Sequence, residues 1–201
     1  MKGVISVLQL KSKKLEVGCG DNKRSGYIGM DIVALKEVDI VHDMNNIPWP
    51  FDDSQFEEIV LDDVLEHSKN FLEIIEEIYR VGENGCIVKI SVPHYSSDNM
   101  YTDPTHTTFF SSRSFNYFDK SLGYKHNFYL QDVNFKIRKV RLSFREYFTH
   151  DGKRPFLNPL KWIGFEWMIN KFSRIYERFF CWIIPVGEIY FELEIIKNED
   201  Q

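Results

Sequence analysis

The stretch from Lys13 to Ile32, KKLEVGCGDNKRSGYIGMDI, limits what this chain can fold into more than any other. One apolar run, KLEVG, ends in Gly18-Cys19-Gly20, and a second, YIGMDI, carries Asp31 near its end. In an open α/β sheet, ligands bind outside the carboxyl ends of the strands, and glycine there lets the backbone approach a ligand with no Cβ in the way. A dinucleotide turn reads GxGxxG and opens a crossover helix whose N-terminus receives the pyrophosphate. Here Lys23 stands at the third glycine position, and only Asp21 to Gly26 separates the turn from the next run. A parallel crossover ordinarily takes about a dozen residues or more. The short connection leaves room for about one helical turn, which argues against a pyrophosphate cradle and for another kind of nucleoside.

Further along, β-rich runs recur at 38–43 (VDIVHD), 56–63 (FEEIVLDD) and 85–93 (GCIVKISVP). Between the last two, Phe71, Leu72, Ile75, Ile78 and Tyr79 fall at helical spacing, with Ser68 placed to cap and Gly82 or Gly85 to stop the helix. This alternation predicts a parallel α/β sheet. The second half differs. VNFKIRKVRLSFREYF alternates with a slip at Arg138-Lys139, the mark of a bulge in a long strand. GEIYFELEII at 187–196 alternates as well, so an antiparallel pair should close the sheet. Between them, Phe165, Met168, Phe172, Ile175, Tyr176 and Phe179 form a helical stripe, with Glu166, Asn170, Arg174 and Glu177 opposite. Such a stripe covers a core or a dimer partner, or lies in a membrane interface, where aromatics beside Lys and Arg are at home.

At 201 residues with 43% hydrophobic content, one packed domain is expected. A net charge of -5 excludes broad attraction to nucleic acid, so no nucleic-acid partner is expected. Cys19, Cys86 and Cys181 include no CxxC pair, which fits reduced thiols, and the N-terminal apolar stretch is too short and polar for a secretory leader. The expected compartment is the cytoplasm.

These blocks together resemble the class I S-adenosylmethionine-dependent methyltransferases, in a small bacterial branch. The resemblance rests on LEVGCG followed by GYIGMDI, and on HDMNNIPWPFDDSQFEEIVLDDVLEH. It implies a Rossmann-like α/β fold: a mostly parallel seven-stranded sheet with an antiparallel C-terminal strand and a helical insertion before that strand. It also implies one domain over 1–201, with an N-terminal extension (1–13), a cofactor-binding half (14–93), a substrate-facing loop and helix (94–130) and an aromatic helical insertion (150–186). The implied cofactor is S-adenosyl-L-methionine, held by Glu16, Gly18, Cys19, Gly20, Asp31, Asp43, Met44 and Asp62, with Asp31 on the ribose, Asp43 and Met44 beside the adenine, and Asp62 near the methionine portion. The chemistry agrees. A sulfonium zwitterion needs carboxylates for its diol and ammonium and no phosphate cradle, and Glu16, Asp31, Asp43 and Asp62 stand at successive strand ends.

The segment PHYSSDNMYTDPTHTTFF follows the fifth strand, where an acceptor would meet the methyl group. His94 and His106 are the candidate bases there, each as readily read as a structural side chain that ties down a turn, with Asp103 as an orienting or alternate carboxylate. No metal site is expected, because His94, Asp103 and His106 have no fixed ligand spacing. Glu66 and His67 read first as the structural start of a helix and second as lining of the site. Lys136, Arg138, Lys139, Arg141 and Arg145 form either a solvated sheet face or a greeting for a phosphate-bearing acceptor. The function expected is methylation, on oxygen, of a small-molecule, sugar-nucleotide or glycan acceptor; the alternative is a methyltransferase-fold scaffold docking through 160–184.

Overall fold

The computed structural model describes residues 12–123, 132–144 and 164–197. Its strands are β1 (Lys14–Val17), β2 (Ile28–Asp31), β3 (Ile40–Val41), β4 (Phe56–Asp62), β5 (Gly82–Pro93), β6 (Phe135–Ser143) and β7 (Glu188–Ile195). They form one sheet in the order β3-β2-β1-β4-β5-β7-β6. The first five are parallel, and β7 runs antiparallel to both its neighbours. This is the mostly parallel seven-stranded α/β sheet expected from the sequence. Strand order reverses at β1, which lies between β2 and β4, so a crevice opens beyond the carboxyl end of β1.

Along the strands, side chains alternate between two unlike faces. Leu15, Val17, Ile59, Leu61, Val88, Ile90, Phe191 and Leu193 are buried, and they pack in one core with the helix α1 (Phe71–Val81). Each such side chain contributes roughly 1.5–3 kcal/mol relative to exposure. The other face carries Lys14, Glu16, Glu58, Lys89, Ser91 and Tyr190. There Glu58 meets Lys89 Nζ at 2.9 Å and Lys14 Nζ at 3.7 Å, and accepts from the Tyr27 hydroxyl. Parallel strands are usually apolar on both faces because helices cover both. A polar second face needs no such cover, and this is how β1 and β2 are joined with turns alone over residues 18–27.

Helix α1 starts later than the capping pattern predicts. Asn70 is its N-cap, without a side-chain bond, while the Ser68 hydroxyl instead meets Thr108 Oγ1 at 2.8 Å. Gly82 ends it, as expected, and opens β5 in an extended conformation. Within α1, buried Glu77 accepts from Trp49 N at 2.5 Å and from Arg80 Nη2 at 2.6 Å, pinning the chain that leads into β4. After β5 the chain forms α2 (Asn99–Thr102) and 3-10 turns at Ser114–Phe118 and Lys120–Leu122. Phe115 meets Phe191 edge-on at 4.6 Å and Phe71 meets Phe110 at 5.5 Å, so this segment is anchored on the sheet and α1.

The slip at Arg138-Lys139 is a bulge, seen as a register shift between Ile137 and Lys139. Lys136 and Lys139 face Glu194 and Glu192 across β7, Arg138 pairs with Glu194, and Arg141 with Glu166. The basic row is a charge-matched, solvated face; Arg145 lies outside the described residues.

The insertion before β7 departs from the predicted stripe. It is two short helices, α3 (Phe165–Lys171) and α4 (Ser173–Phe179), broken at Phe172 with φ -122° and ψ 41°. Met168, Phe172, Ile175 and Phe179 point outward, 43–63% exposed, and only Tyr176 of the stripe is buried. Glu166 and Glu177, predicted to face solvent, are each 7% exposed. The reason is what the helices pack against. β6 is an edge strand, whose unpaired backbone groups need polar partners. Asn170 supplies them, accepting from Leu142 N at 2.7 Å and donating to Leu142 O at 2.8 Å. A helix laid on a sheet edge turns its polar side inward, so this stripe does not cover the core. Among the described residues, no helix is long and apolar enough to cross a membrane.

Candidate functional site

Beyond the carboxyl end of β1 lies a cleft of about 410 Å³, floored by Val17 and Gly18 and walled by Met30, Asp31, Ile32, Asp43, Met44, Asn45, Val64, His67 and Thr105, among others. That volume falls in the range of about 300–1,000 Å³ usual for small-ligand sites. Gly18 holds φ +69°, and a Cβ there would stand 2.5 Å from Val64 Cγ2. Its N–H donates to Met30 O at 2.8 Å, tying the turn to β2. Asp31 closes the same turn: Oδ2 accepts from Gly20 N and Oδ1 from Val33 N, both at 2.9 Å.

Asp43 accepts from Asn45 N and Asn45 Nδ2 at 2.9 Å. Burial works against its charge, but these donations, with Lys69 and His42 nearby, outweigh it and hold the carboxyl below its usual range. Met44 is buried beside it, its carbonyl taken by Trp49 Nε1 at 2.9 Å. No lysine or arginine lines the cleft among the described residues. Such a wall favours a neutral or cationic nucleoside over a phosphorylated one.

The predicted ring of four acids is split in two. Strand periodicity sends Glu16 and Asp62 to the polar face, where Arg24 holds both: its N donates to Glu16 Oε2 at 2.6 Å, its Nη1 to Glu16 Oε1, and its Nη2 to Asp62 Oδ2 at 2.8 Å. Neither acid lines the cleft. Cys19 also turns away, packed where Gly29 leaves room for its sulfur, at 2.6 Å from the position of an added Cβ. Burial, with Asp31 and Glu16 nearby, pushes its thiol up to about 11, the state of an inert cysteine. Of the eight residues predicted to hold cofactor, Gly18, Asp31, Asp43 and Met44 line the cleft, and Gly20 shapes its turn.

The predicted bases also part company. His94 is fully buried. Its Nδ1 accepts from Ser96 N at 3.1 Å, and its Nε2 lies 3.4 Å from Glu177 Oε1. Glu177 in turn accepts from Ser112 N at 2.6 Å and Ser112 Oγ at 2.9 Å. Burial opposes its charge, yet the bonds from His94 and Ser112 prevail and hold its carboxyl below the usual range. His94 thus ties the end of β5 to α4, and both ring nitrogens are engaged away from the cleft.

His106 and Asp103 fold back toward the cleft. His106 Nδ1 is 3.3 Å from Met100 O, its Nε2 3.9 Å from Glu66 Oε1, and its ring centroid 4.7 Å from that of His67. Asp103 accepts from Thr105 Oγ1 at 2.6 Å and Thr105 N at 2.8 Å, and these bonds lower its carboxyl. His67, which lines the cleft, places Nδ1 2.8 Å from Thr105 Oγ1. Burial, then the neighbouring His106, lowers its basicity. Glu66 is 1% exposed, and burial, with Asp63 and Asp62 nearby, pushes it up to about 8.

Glu66 and His67 are therefore more than a helix start; they sit in a 3-10 turn at Leu65–His67, ahead of α1. Val64, His67, Thr105 and Ile32 are lining residues that the sequence did not single out as cofactor-binding. For Ile32 the signal was present: an apolar residue directly after the strand-end acid, 63% exposed. For Val64 and Thr105 there was none, since neither spacing nor charge marks them.

No family model matches the chain, and no curated protein matches it by sequence. Solved structures do match in shape. An S-adenosylmethionine-dependent methyltransferase from Archaeoglobus fulgidus superposes with a TM-score of 0.53 at 17% identity, over 91% of this chain and 86% of that one. Phosphoethanolamine N-methyltransferase 2 of Haemonchus contortus, in complex with S-adenosyl-L-methionine, gives 0.54 at 12% identity, over 93% of this chain and 49% of that one. The [4+2]-cyclase SpnF gives 0.52 at 15% identity, over 92% and 75%. The chain has the fold of the S-adenosylmethionine-dependent methyltransferases, a fold that a cyclase shares.

Proposed function

We propose that this protein is an S-adenosylmethionine-dependent methyltransferase acting on an oxygen of a small-molecule, sugar-nucleotide or glycan acceptor. The observation that carries the cofactor assignment is the cleft at the end of β1, which presents Asp31 and Asp43 and is lined by no described lysine or arginine. In this reading Asp31 takes the ribose diol, Asp43 and Asn45 the adenine edge, and Ile32 and Met44 the faces of the ring. The methionine end extends past Gly18 toward Val64.

Methyl transfer is an in-line displacement in which the acceptor oxygen bonds the methyl carbon as the carbon–sulfur bond breaks, leaving a neutral thioether. Positioning dominates such a step, with effective molarities on the order of 10⁵ M or more. The acceptor would enter along residues 99–108, where His67, His106 and Asp103 converge; a base there adds about 10² to 10⁴ in rate. His94, buried and fully bonded, takes no part. Calorimetric titration with S-adenosylhomocysteine should show binding in the micromolar range, about -8 kcal/mol, and no heat at millimolar ligand would overturn the assignment.

The exposed face of α3, α4 and the turn that follows them supports a docking role beside catalysis, toward an anionic lipid surface. Trp167, Phe179, Trp182 and Ile183 are 63–73% exposed. The only acids between residues 164 and 184 are Glu166 and Glu177, and both are turned inward. Lys171 lies 4.8 Å over the Trp167 ring, and Arg174 and Arg178 are exposed beside it. A face of aromatics and cations with its acids withdrawn matches a negatively charged headgroup layer, although the whole chain carries net negative charge.

A further inference from the structure

We propose that Glu66, His67 and His106 form a binding site for a divalent transition ion of the zinc class, at the acceptor end of the cleft. Each offers one ligand atom, and these atoms lie within 4.8 Å of one another. One carboxylate and two imidazoles make a donor set that suits zinc and its neighbours rather than magnesium or calcium.

Three features of the surroundings favour an ion over a simple hydrogen-bonded cluster. The first is Glu66 itself: it is 1% exposed, and its Oε2 has no hydrogen-bond partner. A carboxyl buried this deeply is paired, bound to a metal or held protonated, and the nearest cationic candidate, His106 Nε2, is 3.9 Å away; an ion would displace the proton that burial otherwise keeps on Glu66. The second is the orientation of His106. Its Nδ1 faces the Met100 carbonyl at 3.3 Å, which can only accept, so the proton sits on Nδ1 and the Nε2 lone pair is left toward Glu66. The third is His67. Thr105 Oγ1 spends its proton on Asp103 Oδ1 at 2.6 Å, so it accepts from His67 Nδ1 at 2.8 Å. That also leaves an Nε2 lone pair. Metal-bound histidines are held in this way, the far N–H given to a carbonyl, hydroxyl or carboxylate.

Bonds of about 2.0–2.2 Å would draw the three ligand atoms closer together than they stand here, so loading contracts the site. With three protein ligands, a fourth position stays open for a substrate oxygen. His67 and Thr105 both line the cleft, so that position lies beside the proposed methyl donor. A hydroxyl bound there loses its proton to solvent more readily, and the resulting alkoxide attacks the methyl carbon while the carbon–sulfur electron pair goes to sulfur. This role of the ion rests on the methyltransferase reading, whereas the ion site does not.

The test uses the full chain, stripped with chelator and titrated with zinc chloride alone. One equivalent should bind in the micromolar range or tighter, weakened at least 100-fold by His106→Ala and by Glu66→Gln, and 10- to 100-fold by Asp103→Asn through Thr105. Cobalt should give visible absorption bands in the wild type that His106→Ala abolishes. Absence of stoichiometric binding to the wild type overturns the site. So does unchanged affinity in His106→Ala, or, should that variant not fold, in His67→Gln. Zinc bound without any S-adenosylhomocysteine binding would leave the site standing and remove the methyltransferase reading; the reverse result would do the opposite.

Discussion

Arg24 Nη2 lies 2.8 Å from Asp62 Oδ2, and the same guanidinium donates to Glu16. The β1–β2 connection, too short for a helix, thus crosses the polar face of the sheet and fastens itself to two strand ends by charge. Two of the four acids that the sequence offered to a cofactor are occupied in this way. The remaining two, Asp31 and Asp43, line the cleft, bonded there to backbone N–H groups and to the Asn45 amide rather than to a guanidinium.

Binding and stability should therefore separate. Asp31→Asn is expected to weaken S-adenosylhomocysteine about 10- to 100-fold, the loss of a charge-assisted hydrogen bond worth about 1.5–3 kcal/mol. Asp62→Asn should leave affinity nearly unchanged and lower stability by about 1 kcal/mol or less, since Arg24 is partly solvated. Calorimetry and urea unfolding on both variants decide this. Equal loss of affinity in the two would show that the ligand reaches the polar face as well as the cleft.

Gly18 and Gly20 both have positive φ, but a side chain would meet different surroundings at each. Gly18→Ala adds a Cβ 2.5 Å from Val64 Cγ2 and a left-handed conformation costing roughly 1–2 kcal/mol; a total near 2–4 kcal/mol is expected. At Gly20 nothing lies within 4 Å, so Gly20→Ala should lose only the conformational part. Adding Val64→Ala to Gly18→Ala should recover about 1 kcal/mol or more in a double-mutant cycle. Strict additivity would show that the clash is relieved elsewhere.

What could be read from the sequence was whatever depends on period. The strands β1 to β7, the helix α1 and the bulge after Ile137 all follow from spacing of apolar residues, whereas Asp31 and Asp43 are marked by the family resemblance, since Glu16 and Asp62 share their strand-end placement. What could not be read depends on pairing across the fold. Arg24 and Asp62 are 38 residues apart, and Glu66 and His106 are 40 apart; neither pair leaves a periodic trace. The α3 and α4 stripe misled for another reason: apolar spacing marks a face that wants cover, but not which partner covers the opposite one. Here that partner is the polar edge of β6, met by Asn170.

Glu177 should make the fold sensitive to acid. Its folded carboxyl is lowered by His94 and Ser112 against the pull of burial, so its ionised form stabilises the native state. That contribution is present above the unfolded carboxyl value, about 4.3, and is lost as pH falls through the lower folded value. Glu177→Gln should destabilise the protein at pH 7 and show a shallower loss of stability between pH 5 and pH 3 than the wild type. Parallel pH profiles of the two in urea would exclude Glu177 as the titrating group.

The outward stripe should bind anionic vesicles and leave neutral ones alone. Each basic residue near a negative headgroup layer contributes about 1 kcal/mol, so replacing Lys171, Arg174 and Arg178 together by Glu should reduce binding at least about 100-fold. Trp167→Ala with Trp182→Ala should weaken it further without removing the salt dependence, because aromatic burial and charge act separately. Sedimentation with vesicles of phosphatidylcholine alone, and of phosphatidylcholine mixed with phosphatidylglycerol, gives the comparison. If the face instead joins two copies of the chain, ultracentrifugation will show a dimer that the tryptophan variants dissociate, with no protein in the vesicle pellet. Since Glu166 and Glu177 face inward in this fold, charge repulsion from those acids cannot be what keeps it off the vesicles.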